Sequence, residues 1–240
     1  MEANMPHRGA NSEDHRLFSG KGIERMRLAV EELSWLLTRG YAVPSAMKLV
    51  GDRHLLHARQ LVAVFRASCT DEARTGRAAS RITNGNLEGQ DLMVDGFNVL
   101  ITLEAALSHG VLLRCRDGCL RDIASVHGNY RFVDETNGAI DMMRLTLDVL
   151  KPASVTWFLD SPVSNSGRLA ARMRAFAETH ALPWTVETVF SPDRELKECG
   201  KVVATTDGII IDTASAWVDL ALRAVEAHVP DAWIVDLSLA

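Results

Sequence analysis

The chain has 240 residues, 47% of them hydrophobic and 24% charged, and this composition excludes collagen-like, mucin-like and wholly disordered proteins. Its formal net charge of −5 at pH 7 excludes a protein that is basic throughout. No apolar run reaches the roughly 18–20 residues of a membrane span, and residues 1–20 lack the apolar core of a secretory signal. We therefore expect a cytoplasmic protein with no membrane partner and with reduced cysteines.

Charge is distributed unevenly along the chain. Residues 16–81 carry twelve Lys and Arg against six Asp and Glu, whereas residues 82–240 carry thirteen against twenty-two. Residues 1–15 are polar and predict a disordered tail. The asymmetry leaves two interpretations open: two units with different partners, or a basic segment that docks onto the acidic domain of its own chain.

Residues 16–73 are predicted to form a basic helical domain. Apolar residues recur at helical spacing from Gly22 to Arg39, Pro44 suits the first turn of a second helix, and a third helix covers about Leu55 to Cys69. Such a unit can bind nucleic acid, but it can equally dock onto a partner or pair two subunits, so a homodimer stays open. Residues 74–90 are polar and rich in small side chains, which predicts a linker.

Residues 91–240 alternate predicted strands with predicted helices. The strands are Leu92–Asp95, Val111–Arg114, Val155–Leu159, Trp184–Phe190, Val202–Thr205 and Trp233–Leu237. The helices are Phe97–Ser108, Thr136–Leu150, Arg168–His180 and Thr213–Ala227. This alternation predicts an α/β fold with three layers, α/β/α, around a mostly parallel sheet, preceded by the small all-helical segment.

Three of the predicted strands end on an aspartate, namely Asp95, Asp160 and Asp207. In parallel sheets ligands bind beyond the carboxyl ends of the strands, so these side chains are expected at the ligand edge. Converging carboxylates repel one another, and Mg²⁺ or Mn²⁺ would neutralise them. Such an ion activates a water and stabilises an in-line phosphoryl displacement. For each aspartate alone, a helix N-cap is an equally good interpretation.

A polar loop after the second predicted strand adds charged candidates. Asp117 and Asp122 are further candidate metal ligands, together with Asp212 later in the chain. Arg116 and Arg121 would place positive charge beside the acidic site and grip a phosphate backbone. The alternative is that these two arginines only neutralise the neighbouring aspartates.

Another candidate segment opens the helix predicted after Asp160. Ser164 and Ser166 stand at its start, where free backbone N–H groups attract anions, and Arg168 could assist in binding a substrate phosphate. An ordinary serine cap and turn is the alternative. The chain has no GxxxxGK[ST], GxGxxG, HExxH or GxSxG motif, which argues against common NTPases, dinucleotide enzymes, zincins and serine hydrolases.

Residues 94–100, VDGFNVL, resemble the opening strand of PIN-like and NYN nucleases, which has the form hydrophobic-D-G-x-N. The resemblance implies that Asp95 binds metal and that Asn98 supports the site. Thr205–Asp207 resembles a small-residue–Asp pattern at a later strand of that superfamily, and Leu159–Asp160 resembles one of its middle strands.

A second resemblance spans roughly residues 20–225. The chain is similar to an uncharacterised bacterial and archaeal family of unknown-function domains, in which a helical segment with an LL-x-RGY element precedes a domain with DGFNVLIT, DG-C-RD and LD-PVSNSG elements. Here these elements lie at residues 36–41, 95–102, 117–122 and 159–167.

These patterns predict a metal-dependent nuclease that acts on RNA rather than DNA, the preference for RNA being implied by the resemblance alone. Asp95, Asp160 and Asp207 would hold Mg²⁺ or Mn²⁺, and Asn98 would orient a ligand or water. The basic helical segment would hold nucleic acid or pair subunits. A second hypothesis is a non-catalytic RNA- or nucleotide-binding module of the same fold. A third is a small-molecule phosphohydrolase.

Overall fold

The computed structural model describes residues 7–83, 85, 87–124 and 129–238. Its helices are Asp14–Leu17 (α1), Gly20–Thr38 (α2), Val43–Arg53 (α3), Ala58–Ala67 (α4), Asp71–Ser80 (α5), Gly96–Leu107 (α6), Thr136–Leu150 (α7), Ser166–Thr179 (α8), Pro192–Glu198 (α9), Gly208–Ile211 (α10) and Leu220–His228 (α11). Its strands are Asp91–Asp95 (β1), Leu112–Arg114 (β2), Leu120–Asp122 (β3), Ser154–Asp160 (β4), Trp184–Val189 (β5), Val202–Ala204 (β6), Ala216–Val218 (β7) and Ile234–Asp236 (β8).

The main sheet has five parallel strands in the order β5-β4-β1-β6-β7. Side chains alternate between its two faces, as the pleat of a strand requires. Leu92 and Val94 of β1 face a large core that also receives α6, α7, α8 and α11, whereas Met93 faces Leu196 of α9 and Ile210 of α10. The predicted three-layer α/β/α architecture with a mostly parallel sheet is therefore confirmed.

A second, three-stranded sheet has the order β3-β2-β8 and connects the helical segment to the α/β domain. Leu112 of β2 faces the core of the main sheet, while Val111 and Leu113 face a second core. That second core contains Met26, Val30, Leu33, Val50 and Val64 of the helical segment. The two parts of the chain therefore share buried apolar surface.

Ion pairs reinforce this docking. Arg66 of α4 bonds to Asp122 of β3, and Arg77 of α5 donates to Asp117 at 2.6 Å. Arg116 of the α/β domain donates in turn to Asp71 of α5. The second interpretation of the charge asymmetry thus holds in the structure: the basic segment docks onto the acidic domain of its own chain.

The structure differs from the prediction at the expected linker and tail. Residues 74–80 of the expected linker belong to helix α5, which begins at a Thr70 cap whose hydroxyl oxygen accepts from the Ala73 N–H. Two residues of the expected tail are held by ion pairs, since Arg8 pairs with Glu104 and Asp14 accepts two hydrogen bonds of 2.7 Å from Arg59. Residues 1–6, 84 and 86 lie outside the described residues.

A second difference lies near the C-terminus. The helix predicted over Thr213–Ala227 is divided into strand β7 and helix α11. β7 adds to the edge of the main sheet, where Trp217 is fully buried, and Asp219 then caps α11 by accepting from the Leu222 N–H. Apolar runs of this length fit both helix and strand, so periodicity alone does not separate them. In the part of the chain that the structure describes, no helix is both long and apolar enough to cross a membrane.

Candidate functional site

The three strand-end aspartates lie along one edge of the main sheet. Asp160 is the last residue of β4, Asp95 is the last residue of β1, and Asp207 follows β6. These strands are adjacent and parallel, because Val94 of β1 lies opposite residues of both β4 and β6. The strand order therefore brings together side chains that are up to 112 positions apart in the sequence.

Asp95 lies deepest of the three, with 9% of its surface exposed. Its carboxylate accepts hydrogen bonds from the Thr205 hydroxyl at 2.8 Å and from the Asn98 N–H at 3.4 Å. The pKa of Asp95 is raised to about 7, because burial and the nearby carboxylates of Asp207 and Asp160 together outweigh the two hydrogen bonds, which lower it. Asp95 is therefore both the cap of α6 and a carboxylate held in an unfavourable electrostatic position.

The two neighbouring aspartates are more accessible. Asp160 is half-buried, and burial raises its pKa, with a smaller contribution from Asp193. Asp207 caps the short helix α10 by accepting from the Ile209 N–H at 2.7 Å. The cap accounts for one oxygen of Asp207, and within the described residues the other oxygen has no partner.

Asn98 connects two of these strand ends. Its side-chain oxygen accepts from the Thr206 N–H at 2.9 Å and from the Thr206 hydroxyl at 3.1 Å. The amide thereby joins the first turn of α6 to the residue that precedes Asp207. Sequence analysis missed the roles of Thr205 and Thr206, although the Thr-Thr-Asp order was a usable signal.

The other predicted acidic ligands are paired with arginines. Asp117 is buried between Arg77 and Arg121, and although burial acts to raise its pKa, the two guanidiniums outweigh that effect and lower the pKa. Asp212 accepts two hydrogen bonds from Arg77, at 2.7 and 2.9 Å. Asp122 accepts from the Thr102 hydroxyl and from Arg66. Two of the three, Asp122 and Asp212, line the same cleft as Asp207, but all three are engaged by arginines.

Two predicted phosphate ligands are engaged within the fold. Arg121 donates to the Thr206 carbonyl at 2.9 Å, to the Arg66 carbonyl at 3.2 Å and to both oxygens of Asp117. Arg116 donates to Asp71 and to the Cys69 carbonyl. Both arginines hold the helical segment against the strand ends, and their contact with a phosphate stays a prediction.

The segment after β4 contains the remaining predicted residues. The Ser164 hydroxyl donates to Asn129, and Ser166 is buried in the first turn of α8. Arg168 lies over the Phe132 ring at 5.5 Å, next to Arg172 at 5.2 Å. Within the described residues, neither guanidinium makes a hydrogen bond or an ion pair, so their donors face no protein acceptor.

A cleft of about 430 Å³ separates the helical segment from the carboxyl edge of the sheet. Its walls include Phe65, Arg66 and Arg77 on one side and Asn98, Asp207 and Ile209 on the other. Sequence analysis predicted that the basic segment would hold nucleic acid, but no local pattern showed that this segment forms one wall of the site.

The donor set fits a hard divalent cation only in part. Among the described residues, no group of three or more His, Cys, Asp or Glu side chains is placed to hold a metal ion. Mg²⁺, however, often takes one or two carboxylates and completes its shell with waters and substrate phosphate oxygens. Asp95 and Asp207 would supply those carboxylates, and Asn98 would keep the second of them in place through Thr206.

Comparisons with known proteins divide the chain where the fold does. A profile described as "Domain of unknown function (DUF5616)" matches residues 84–223. The chain belongs to this family. A second profile, "Protein of unknown function (DUF434)", matches residues 25–79 in the helical segment. These matches confirm the predicted likeness to an unknown-function family.

One relative matches most of the chain. The chain is 31% identical over 204 residues to "Uncharacterized protein MJ0935" of Methanocaldococcus jannaschii, and the match covers 82% of this chain and 95% of the archaeal protein. The helical segment and the α/β domain therefore occur together in an archaeal protein. No solved structure matches the chain.

Proposed function

We propose that the chain is a Mg²⁺- or Mn²⁺-dependent nuclease that hydrolyses RNA phosphodiesters at the carboxyl edge of its main sheet. The observation that carries the proposal is the position of Asp95, a buried carboxylate whose pKa is raised to about 7 beside Asp207 and Asp160. Strongly perturbed carboxylates are typical of functional sites, and the neighbouring Asp207 lines the cleft. The resemblance of residues 94–100 to PIN-like nucleases supports the same reaction.

A divalent cation would relieve the strain that this arrangement stores. Asp95 and Asp207 would be its protein ligands, with Asp160 near the rim to orient a water or substrate. When bound, such an ion supplies a nucleophilic water at neutral pH and neutralises charge on the phosphoryl oxygens. Asn98 keeps the loop of Asp207 in position through its two hydrogen bonds to Thr206.

Support for a phosphate-bearing substrate comes from α8, which follows β4 at the same edge of the sheet. Arg168 and Arg172 both lie over the ring of Phe132. This contact orients the two guanidinium groups and leaves their N–H donors free to bind a ligand. Guanidiniums with unengaged donors bind phosphate oxygens in a forked geometry. We assign these two arginines to the phosphates that flank the cleaved bond.

The test is cleavage of a fluorophore-labelled single-stranded RNA by chelator-treated protein with Mn²⁺ restored. We expect cleavage that EDTA abolishes and that Asp95→Asn reduces by at least about 100-fold, as loss of a group that stabilises the transition state typically does. Asp91→Asn is the matched control, because Asp91 lies at the opposite end of the same strand and pairs with Lys201. Cleavage that survives both EDTA and Asp95→Asn would overturn the proposal.

The second candidate is a binding module of the same fold, which is favoured by the lack of a three-ligand group among the described residues. It predicts RNA binding without turnover, with little change in affinity on Asp95→Asn. Hydrolysis of a generic aryl phosphate in the same preparation would instead indicate the small-molecule phosphohydrolase.

A further inference from the structure

The cleft beside Asp207 has an apolar rim that the proposed chemistry does not use. Phe65 of α4 is 43% exposed, and Ile209 of α10 is 64% exposed. Both residues line the cleft, one from the helical segment and one from the sheet edge. Large apolar side chains that remain exposed around a polar cleft are typical of a surface that contacts a ligand.

Most of the charged groups of the cleft are already engaged within the protein, which limits the kinds of ligand that can bind there. Arg77 and Arg121 have their donors engaged by aspartates and carbonyls, and Asp212 is held by Arg77. The Asn98 amide nitrogen has no hydrogen-bond partner within the described residues, because only the oxygen of this side chain is engaged. Besides the free oxygen of Asp207, the groups that the described residues leave to recognise a ligand are an aromatic face, an aliphatic side chain and an amide donor.

A nucleobase has the chemistry that fits these groups. It offers a flat π-face to Phe65 and ring acceptors to an amide donor. A volume of about 430 Å³ lies in the range of pockets for single small molecules and is too small for a duplex. We propose that the cleft binds one unpaired base of the substrate, with Phe65 as its stacking platform, so that the helical segment supplies base recognition.

This inference rests on the proposed function, since it concerns the same site, but it is tested by binding alone. Fluorescence anisotropy would measure affinity for a labelled ten-nucleotide RNA and for an abasic strand of equal length, in EDTA to keep the RNA intact. The proteins are wild type, Phe65→Ala, Phe65→Trp and Val62→Ala. Val62 is an exposed apolar residue of the same helix that does not line the cleft.

Base stacking predicts a pattern that differs from a general loss of affinity. Phe65→Ala should weaken binding of the RNA by about 5- to 150-fold and leave the abasic strand unchanged, whereas Phe65→Trp and Val62→Ala should bind as wild type does. RNA binding that is unchanged in Phe65→Ala, or reduced equally for both strands, overturns the inference.

The two proposals fail in different ways. Binding that depends on Phe65, in a protein that never cleaves RNA, would sustain the base platform and refute the nuclease. Metal-dependent cleavage with the same KM in wild type and Phe65→Ala would sustain the nuclease and refute the platform.

Discussion

Replacing Asp95 with asparagine should stabilise the protein at neutral and mildly alkaline pH. Asparagine is as good an N-cap as aspartate, so the change keeps the cap of α6 and removes the charge. The pKa of Asp95 rises from the ordinary 3.8 to about 7 on folding, because the carboxylate is buried. A shift of about three pKa units corresponds to roughly 4 kcal/mol once the carboxyl is ionised in both states. The gain in unfolding free energy at pH 8 should therefore approach this value as an upper limit.

The ionisation of Asp95 determines how the effect of Asp95→Asn on stability changes with pH. Below pH 3.8 the carboxyl is protonated in the folded and unfolded chains alike, so it contributes nothing. Between pH 3.8 and about 7 the unfolded chain releases the proton and the folded chain retains it, so wild-type stability falls as pH rises. The advantage of Asp95→Asn should accordingly shrink to less than about 1 kcal/mol at pH 4.

Urea unfolding in chelator at pH 4, 6 and 8 measures this difference directly. Asp91→Asn is the control at the other end of β1, where Lys201 lowers the pKa of an exposed carboxylate, and it should not stabilise the protein. An Asp95→Asn variant that is less stable than wild type at both pH 4 and pH 8 would refute the reasoning. Asp95 would then be a stabilising cap and no more.

Two further predictions concern packing. In urea unfolding, Gly96→Ala should destabilise the protein by roughly 1–3 kcal/mol, because an added Cβ would lie 2.6 Å from Leu159. Gly76 has open space around it, so Gly76→Ala should be neutral or stabilising. Equal effects of the two substitutions would contradict the close approach of Gly96 to Leu159. Arg8→Met should lower the unfolding free energy by about 3–5 kcal/mol, because Arg8 is the cation that pairs with the fully buried Glu104. A thermal melt that is unchanged in the Arg8 variant would show that Arg8 does not pair with Glu104 as described.

Local patterns were sufficient for four of the five strands of the main sheet and for the strand ends. Leu92 and Val94 lie in a continuous apolar run that ends on Asp95, and such a run can be read without knowledge of the rest of the chain. The rule that ligands gather at the carboxyl ends of parallel strands then placed Asp95, Asp160 and Asp207 on one edge. Strand order, which decides that these strands are neighbours, came only from the structure.

The parts that sequence could not supply depend on contacts between distant residues. Arg121 was predicted to grip phosphate, but Asp117, four residues earlier, and the Thr206 carbonyl take up its donors. Phe65 belongs to a helical segment more than 100 residues from Asp207, so nothing local places the two across one cleft. Residues 74–80 were predicted as part of a linker because of their polar composition, but they belong to a helix that begins at the Thr70 cap.

The most direct test of the central claim is calorimetric titration of Mn²⁺ into chelator-treated protein. Wild type and Asp95→Asn are measured side by side, with and without an RNA that carries a nuclease-resistant, non-bridging phosphorothioate at each linkage. We expect saturable binding by wild type, strengthened by the RNA because phosphate oxygens complete the shell of the ion, and loss of that binding in Asp95→Asn. Wild-type protein that binds no Mn²⁺ with or without the RNA, or that binds it as tightly after Asp95→Asn, would contradict the claim that this edge of the sheet is a metal site.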